Sequence, residues 1–447
     1  MKLIYGIKDK PKFGQMLIFA FQQVLAILAA TIAVPAIVGN GMSASAALFG
    51  AGVGTIIYQL FTKFRSPVFL GSSFAFIGSM SAAFAGAASA TAGFAGIIMG
   101  AIMAGLVYVV IALLVKLAGV KWINKLMPPV VIGPTVALIG LSLAGAAVKD
   151  VFSYGPQNDG GAFIMSTNLW VSLACALVTL FAVILFSTYG KKMIKLIPFI
   201  LGILAGYLVA TVFTVVGIYT GNPQLQIIDF SVFQNLQVFA VPEFTFLTAV
   251  QGVKEIDLTY IATVAVAYIP VAFVVFAEHI ADHKNLSTII DSDLLENPGL
   301  HRTLLGDGVG SMVGALFGGC PNTTYGESVG CVAITRNASV VTISTAAVLC
   351  MIISFFGPFV AFLDSIPGSV MGGVCITLYG FIACSGMKMI QKVDLNQNKN
   401  LFVAAVILIT GIGGMAMAIG KVTLTTTACA LILGIITNLL LQNSKKN

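Results

Sequence analysis

"CPNTTYGESVGCVAITR", residues 320–336, puts a proline, an asparagine, paired threonines, a tyrosine and a glutamate between two long apolar runs. A membrane helix belongs at that place. Proline removes a backbone donor, glycine permits dihedrals outside the helix, and β-branched and aromatic residues such as "TTY" favour extended backbone. The stretch therefore reads as a short strand followed by a half-helix. Unwound backbone at membrane depth is tolerated only where it is buried in protein or lines a wet cavity, so this one needs a partner. "PVFLGSS", residues 67–73, is broken in the same manner, and pairing the two short strands with each other would satisfy both. The half-helix N-termini would then turn partial positive charge toward a ligand.

Composition sets the medium. Of 447 residues 58% are hydrophobic and only 9% charged, with a mean hydropathy of +1.01. A soluble domain carries about a quarter charged residues, so the chain is an all-α polytopic membrane protein. Apolar stretches of roughly 17 to 25 residues, the length that crosses ~30 Å of hydrocarbon, number about fourteen. They fall near 15–37, 44–62, 68–84, 91–117, 128–148, 168–188, 197–219, 259–282, 303–319, 321–335, 338–362, 367–387, 400–418 and 422–442. Spans three and ten are the short, broken ones.

If every span crosses and Met1 is cytoplasmic, the 23 Lys and Arg divide unevenly, with only Lys149, Lys254 and Lys421 outside. That bias predicts an even topology with both termini in the cytoplasm, and a net charge of +7 that sets orientation. Nucleic-acid binding would instead need a basic face on a soluble module. The first apolar run follows a basic arm with no small-residue cleavage site, so no cleaved signal peptide is expected. The seven cysteines, at 175, 320, 331, 350, 375, 384 and 429, lie in apolar spans without paired spacing and read as small hydrophobes. Asn322 and Asn337 match the glycosylation pattern by chance, one within a span and one on the cytoplasmic side. Trp122 and Trp170 read as interface anchors.

Faint internal similarity divides the chain in two. "PVFLGSS" opens span three and "PNTTYGES" opens span ten; "PPVVIGPTVALIG" from residue 128 opens span five and "PGSVMGGVCITLYG" from residue 367 opens span twelve. Seven is odd, so the second set of seven would run upside down relative to the first, the inverted-repeat plan of secondary transporters. The expected organisation is one membrane transport domain over 1–447, with a first repeat at 15–220 and a second at 259–442. The loops at 149–167, 220–258 and 283–302 are too short to be catalytic domains.

Most acidic residues sit in loops or at span ends; Glu278, Asp307 and Glu327 do not. A charge within a span costs at least ~2.5 to 3.5 kcal/mol on insertion scales, which makes these three the functional candidates. Each has a structural alternative: a helix cap for Asp307, a brace for loose backbone at Glu327, and a position near the inner interface for Glu278. The case for Glu278 strengthens if its helix continues past His283 and Lys284. Asp282 reads as the end of that span. A neutral carboxyl donates one hydrogen bond and an anion only accepts, so protonation would change which ligand edge is complementary. His279 and His283 are open to a structural or a proton-relay role, and the set of ligands for a metal is incomplete. Phe74, Tyr325 and Tyr379 stand beside the breaks and could stack on a planar ring. Neither a nucleophile with its base nor a ligand cluster is visible, so no enzyme and no cofactor is expected.

With "FAEHI" at 276–280, "LLENPGLHRTLLGDGVGS" at 294–311, "FLGSSFAF" at 69–76 and the tenth-span motif in place, the chain resembles the nucleobase/ascorbate transporter family, in the branch that carries uracil. The likeness runs over essentially the whole chain. It implies fourteen spans in two inverted repeats, spans 3 and 10 broken by short antiparallel strands, a core domain (spans one to four and eight to eleven), a gate domain (five to seven and twelve to fourteen), and symport of uracil with protons across the plasma membrane. It also implies substrate contacts from Glu278, Glu327, Phe74, the backbone of Ser73, Tyr325 and Gly326, and Tyr379 from the gate side, with proton coupling at Glu278, Glu327, His283 or Asp307. Relatives carrying purines or ascorbate usually have Gln-Asn where this chain has Glu327-Ser328, which favours a pyrimidine. Two departures stand out: the family often has histidine where this chain has Asp282, and a first-span histidine of some relatives is replaced by Gln23. Another nucleobase, such as xanthine, or an anion, are the alternative cargoes. The partners implied are uracil, protons and the bilayer; a homodimer is left open.

Overall fold

The computed structural model describes residues 3–119, 121–191, 193–234, 236–419 and 422–441. Met1, Lys2, Lys192, Lys421, Lys445, Lys446 and residue 442, which the topology and repeat limits invoke, lie outside the described residues. The chain is mostly helical. The first half comprises α1 (Phe13–Val38), α2 (Ala44–Phe61), strand β1 (Leu70–Ser72), a helical turn at Phe74–Phe76, α3 (Ile77–Gly86), α4 (Ala90–Ala118), α5 (Lys121–Leu126), α6 (Pro129–Ser142), α7 (Ala144–Val151), α8 (Thr167–Tyr189), α9 (Met193–Leu196) and α10 (Pro198–Thr220). After a loop come α11 (Thr245–Gly252), α12 (Leu258–Ile290), α13 (Leu300–Gly318), β2 (Asn322–Thr324), α14 (Gly326–Thr335), α15 (Val340–Ile353), α16 (Gly357–Asp364), α17 (Gly368–Ile390), α18 (Asn398–Ile412), the hairpin β3 (Met417–Ile419) and β4 (Val422–Leu424), and α19 (Thr426–Leu441).

Among the described residues eight helices, with α6 and α7 taken together as one, are long and apolar enough to cross a membrane, and four shorter apolar helices accompany them. The protein is therefore a multi-pass membrane protein. Polar side chains fix where several helices begin: Ser43 accepts from the N–H of Ala46 at 3.2 Å, and Asp257 from that of Tyr260 at 2.6 Å.

The boundaries depart from sequence expectation in four places. The stretch 338–362 is two helices, α15 and α16, and 128–148 divides at Leu143 between α6 and α7. Met417–Ile419 and Val422–Leu424, at the facing ends of the expected spans 400–418 and 422–442, pair as strands, because Gly413 and Gly414 end the helix and β-branched Val422 and Thr423 follow. Most consequentially, α12 does not end near Asp282 but runs on to Ile290.

Glycine lets α2 and α13 touch backbone to backbone. A Cβ at Gly50 would lie 2.4 Å from the Gly314 carbonyl oxygen, and one at Gly310 would lie 2.7 Å from that of Gly54. This is small-residue packing of the kind that joins helices in membranes. Into the same seam Asn322 inserts its amide, donating to Gly50 O at 3.1 Å; at 3% exposure it is no glycan acceptor. Asn337, 4% exposed, accepts from the Ser339 N–H at 2.9 Å. The cysteines are free thiols, buried except for Cys384. Trp170 is exposed, whereas Trp122 packs against the core.

The N-terminal arm is fastened to the link that follows α14. The N–H groups of Ile4 and Tyr5 donate to Arg336 O at 2.8 and 3.3 Å, and those of Ala338 and Val340 donate to Tyr5 O and Ile7 O at 2.9 and 3.1 Å. The Ser339 hydroxyl donates to Asp9 O at 2.6 Å, while Leu3 and Ile7 pack against a buried cluster that includes Val332 and Ala338.

Candidate functional site

β1 and β2 pair antiparallel with Leu70 opposite Thr324, Gly71 opposite Thr323 and Ser72 opposite Asn322. The strands start two residues after "VFL" begins and one before "TTY", because the register is set by pairing and not by local propensity. At the two ends of the ladder, Ser73 N–H donates to Pro321 O at 2.8 Å and Tyr325 N–H to Phe69 O at 3.3 Å. The unwound backbone is thus satisfied by its partner. Two side chains lock the crossing. Tyr325 OH donates to Ser72 O at 2.7 Å, its ring lying so close over Gly71 that a Cβ there would meet it at 2.4 Å. Ser328 Oγ accepts from the Gln23 amide and, at 3.1 Å, from Phe69 N–H.

Beyond the strands the chain coils in both segments, at Phe74–Phe76 into α3 and at Gly326 into α14. The first N–H groups of a helix have no partner within it, and Phe74, Ala75, Gly326 and Glu327 all line one cavity of about 420 Å³. The cavity has two unlike walls. Glu278 and Asp282 on α12, Thr324 and Glu327 form a polar one, whereas Val136 and Ile139 of α6, Phe199 of α10 and Leu378, Phe381 and Ile382 of α17 form an apolar one. Glu278 and Asp282 are one helical turn apart, and both, like Glu327, are half-buried. Asp282 Oδ2 accepts from Thr324 Oγ1 at 2.8 Å.

Five of the expected contact residues therefore meet at one place: Glu278, Glu327, Phe74, Tyr325 and Gly326. Two others stand behind the wall. Ser73 is 1% exposed with its N–H committed to Pro321, and Tyr379 is 2% exposed with its ring 6.1 Å from that of Phe74, edge to face. His283 and Asp307 lie in a separate buried cluster on another face of α12. His283 donates from Nδ1 to His279 O at 2.8 Å, and its Nε2 is 2.7 Å from Tyr58 OH. Asp307 is not a helix cap, since α13 begins seven residues earlier at Leu300; its Oδ2 lies 2.6 Å from His279 Nδ1.

Asp282 is the cavity carboxyl that span counting missed. Hydropathy falls sharply over "EHIADHKN", which looks like a helix end. The signal that could have found it is the four-residue spacing from Glu278, which puts both on one face once the helix is allowed to continue.

The Permease family (Xan_ur_permease) is matched over residues 14–420. A uracil permease of Bacillus caldolyticus is 41% identical, with 98% of this chain and 95% of that protein aligned. A uracil permease of Bacillus subtilis (strain 168) is 38% identical over 100% of this chain and 97% of its own length. Among solved structures, the transmembrane domain of the cyanobacterial bicarbonate transporter BicA superposes with a TM-score of 0.64 at 18% identity, covering 97% of this chain and 100% of that domain. That likeness shows the fold.

Proposed function

This chain belongs to the Permease family (Xan_ur_permease), and from that membership we propose that it imports uracil together with protons across the plasma membrane by alternating access. The observation that carries the reading is the trio Glu278, Asp282 and Glu327, half-buried around one cavity where two broken segments cross. A carboxyl kept inside a membrane protein has a functional explanation by default. The names of the relatives support uracil as the cargo.

A pyrimidine dione presents N–H donors and C=O acceptors in one plane. The N–H groups suit Glu278 and Glu327, and the carbonyls suit the unpaired N–H groups at the starts of the two half-helices. Phe74 and Tyr325 offer ring faces for the base. A carboxylate only accepts, whereas the protonated form also donates, so a proton adds a bond to a C=O of the base and strengthens binding. Exchange of a proton at these groups thus alters the affinity for the solute, which is what symport requires.

In the same reading, the apolar wall from α6, α10 and α17 is the gate, moving against the polar wall held by the crossed strands. Two inverted sets of seven spans, 15–220 and 259–442, form the two bodies, and antiparallel pairing of β1 with β2 supports that symmetry. Exposed Lys195 and Ser385 line the mouth of the cavity on the face that the positive-inside pattern assigns to the cytoplasm, so the conformation is inward-open with both termini on that side.

Reconstitution into liposomes tests the proposal. An inward proton gradient should drive accumulation of labelled uracil, with Glu327→Ala abolishing binding and Glu278→Gln binding uracil without gradient-driven uptake. Absence of both uptake and binding in the parent protein would refute the assignment, and unchanged uptake in both variants would refute the site. Competition by thymine, xanthine, guanine and ascorbate sets the cargo.

A further inference from the structure

Counting protons in the buried cluster behind α12 separates the groups that hold a proton from those that exchange one. His279, 0% exposed, has both ring nitrogens engaged: Nδ1 lies 2.6 Å from Asp307 Oδ2 and Nε2 lies 3.0 Å from Thr303 Oγ1. Thr303 Oγ1 also lies 3.0 Å from Leu300 O, which can only accept; with the hydroxyl proton on that bond its lone pair faces Nε2, and that nitrogen carries a hydrogen. A neutral imidazole has one N–H, which leaves Nδ1 as an acceptor. Two acceptors cannot stand 2.6 Å apart. A second proton therefore lies between Nδ1 and Asp307.

The surroundings agree. Asp307 is 1% exposed and its Oδ1 has no hydrogen-bond partner. An ionised carboxylate left so would be a buried charge with an orphan oxygen, whereas a pair neutral overall loses little there. The titratable groups near enough to feel its charge are Glu278 and Asp282 on α12, Tyr58 on α2 and Tyr108 on α4, and His283 stacks on its partner His279. Among the described residues no Lys or Arg joins them. His283 is stacked on His279 with centroids 4.0 Å apart and donates to the His279 carbonyl, so its Nε2 is free to accept from Tyr58.

We infer that Asp307 and His279 form a permanently protonated, net-neutral clasp joining α12 to α13, which positions Glu278 for the cavity and does not exchange its proton during transport. His279 follows Glu278 in sequence, so ring and carboxyl leave adjacent positions of one helix in different directions, the ring to the clasp and the carboxyl to the cavity. The role given to Glu278 rests on the reading of the cavity above; the proton count does not.

Nitrogen-15 NMR of histidine-labelled protein in lipid nanodiscs tests the count without any transport assay. The signal of His279, assigned by its loss in His279→Gln, should stay constant between about pH 5 and 9 with hydrogen on Nε2. Titration of that ring in this range, or a bare Nε2, would overturn the inference. Asp307→Asn supplies an amide N–H to Nδ1 in place of the acid proton. Uptake by this variant should keep the pH-gradient dependence of the parent protein, and its loss with solute binding retained would overturn the inference. Should Asp307→Asn fail to fold, the NMR of the parent protein decides; should the parent carry no uracil, the NMR result stands and only the cavity reading falls.

Discussion

Gly71→Ala probes the point on which the site is built. The added Cβ would stand 2.4 Å from two ring carbons of Tyr325 and 2.9 Å from a third, where ordinary carbon contacts lie near 3.5 to 4.0 Å. Relief requires a ring shift of roughly 1 Å. Tyr325 is 4% exposed and its hydroxyl holds Ser72 O at 2.7 Å, so the ring cannot swing away without breaking that bond. Overpacking costs about 1 to 3 kcal/mol and an orphaned buried carbonyl a further 1 to 3, which gives about 2 to 6 kcal/mol together. Because Tyr325 caps α14 and lines the cavity, the displacement reaches Gly326 and Glu327 directly. The expected result is a lower melting temperature in detergent and at least about a tenfold loss of uracil affinity by calorimetry, equivalent to 1.4 kcal/mol. Adding Tyr325→Ala removes the clash, so the double variant should be more stable than the two single costs predict. Wild-type stability and affinity in Gly71→Ala would refute the account of the crossing.

Two further substitutions carry independent expectations. Thr324→Val removes the donor to Asp282 and should cost about 1.5 to 3 kcal/mol, seen as lowered melting temperature and weakened solute binding, while Thr324→Ser restores both; a valine variant indistinguishable from the parent would remove Thr324 from the site. Gly314→Ala puts a Cβ 2.1 Å from Asn322 Nδ2 and should destabilise by about 1 to 3 kcal/mol, whereas Gly78→Ala, with nothing within 4 Å, should be neutral or slightly stabilising in the same thermal assay.

The sequence carries those features that a single chain segment determines. Apolar length placed the helices, proline and glycine marked the two breaks, and the cost of intramembrane charge singled out Glu278 and Glu327, which line the cavity. Features that depend on a distant partner were invisible. The strand boundaries follow a ladder between segments some 250 residues apart, which local propensity cannot fix. "EHIADHKN" looks too polar to continue a membrane helix, yet His279, Asp282 and His283 find partners on α13, β2 and α2, so α12 runs on and Asp282 joins the site. The resemblance groups His283 and Asp307 with Glu278 and Glu327 for proton coupling, but a sequence shows that a residue is ionisable without showing which face of its helix meets which neighbour. Asn322 matched a surface pattern but is enclosed by glycines of two helices.

The docked arm bears on how the protein is made. Synthesis proceeds from the amino end, so Tyr5, Ile7 and Asp9 leave the ribosome long before their partners between Arg336 and Val340, and Ser339 follows 330 residues after Asp9. Until then the arm lacks that anchor, and the first broken segment likewise lacks its strand. One stretch of late chain, residues 322–340, completes both. Assembly of the half-helix crossing and closure of the arm are thus a single event late in biogenesis, and a chain truncated before residue 320 would leave β1 as an open edge inside the bilayer, a ready target for membrane quality control.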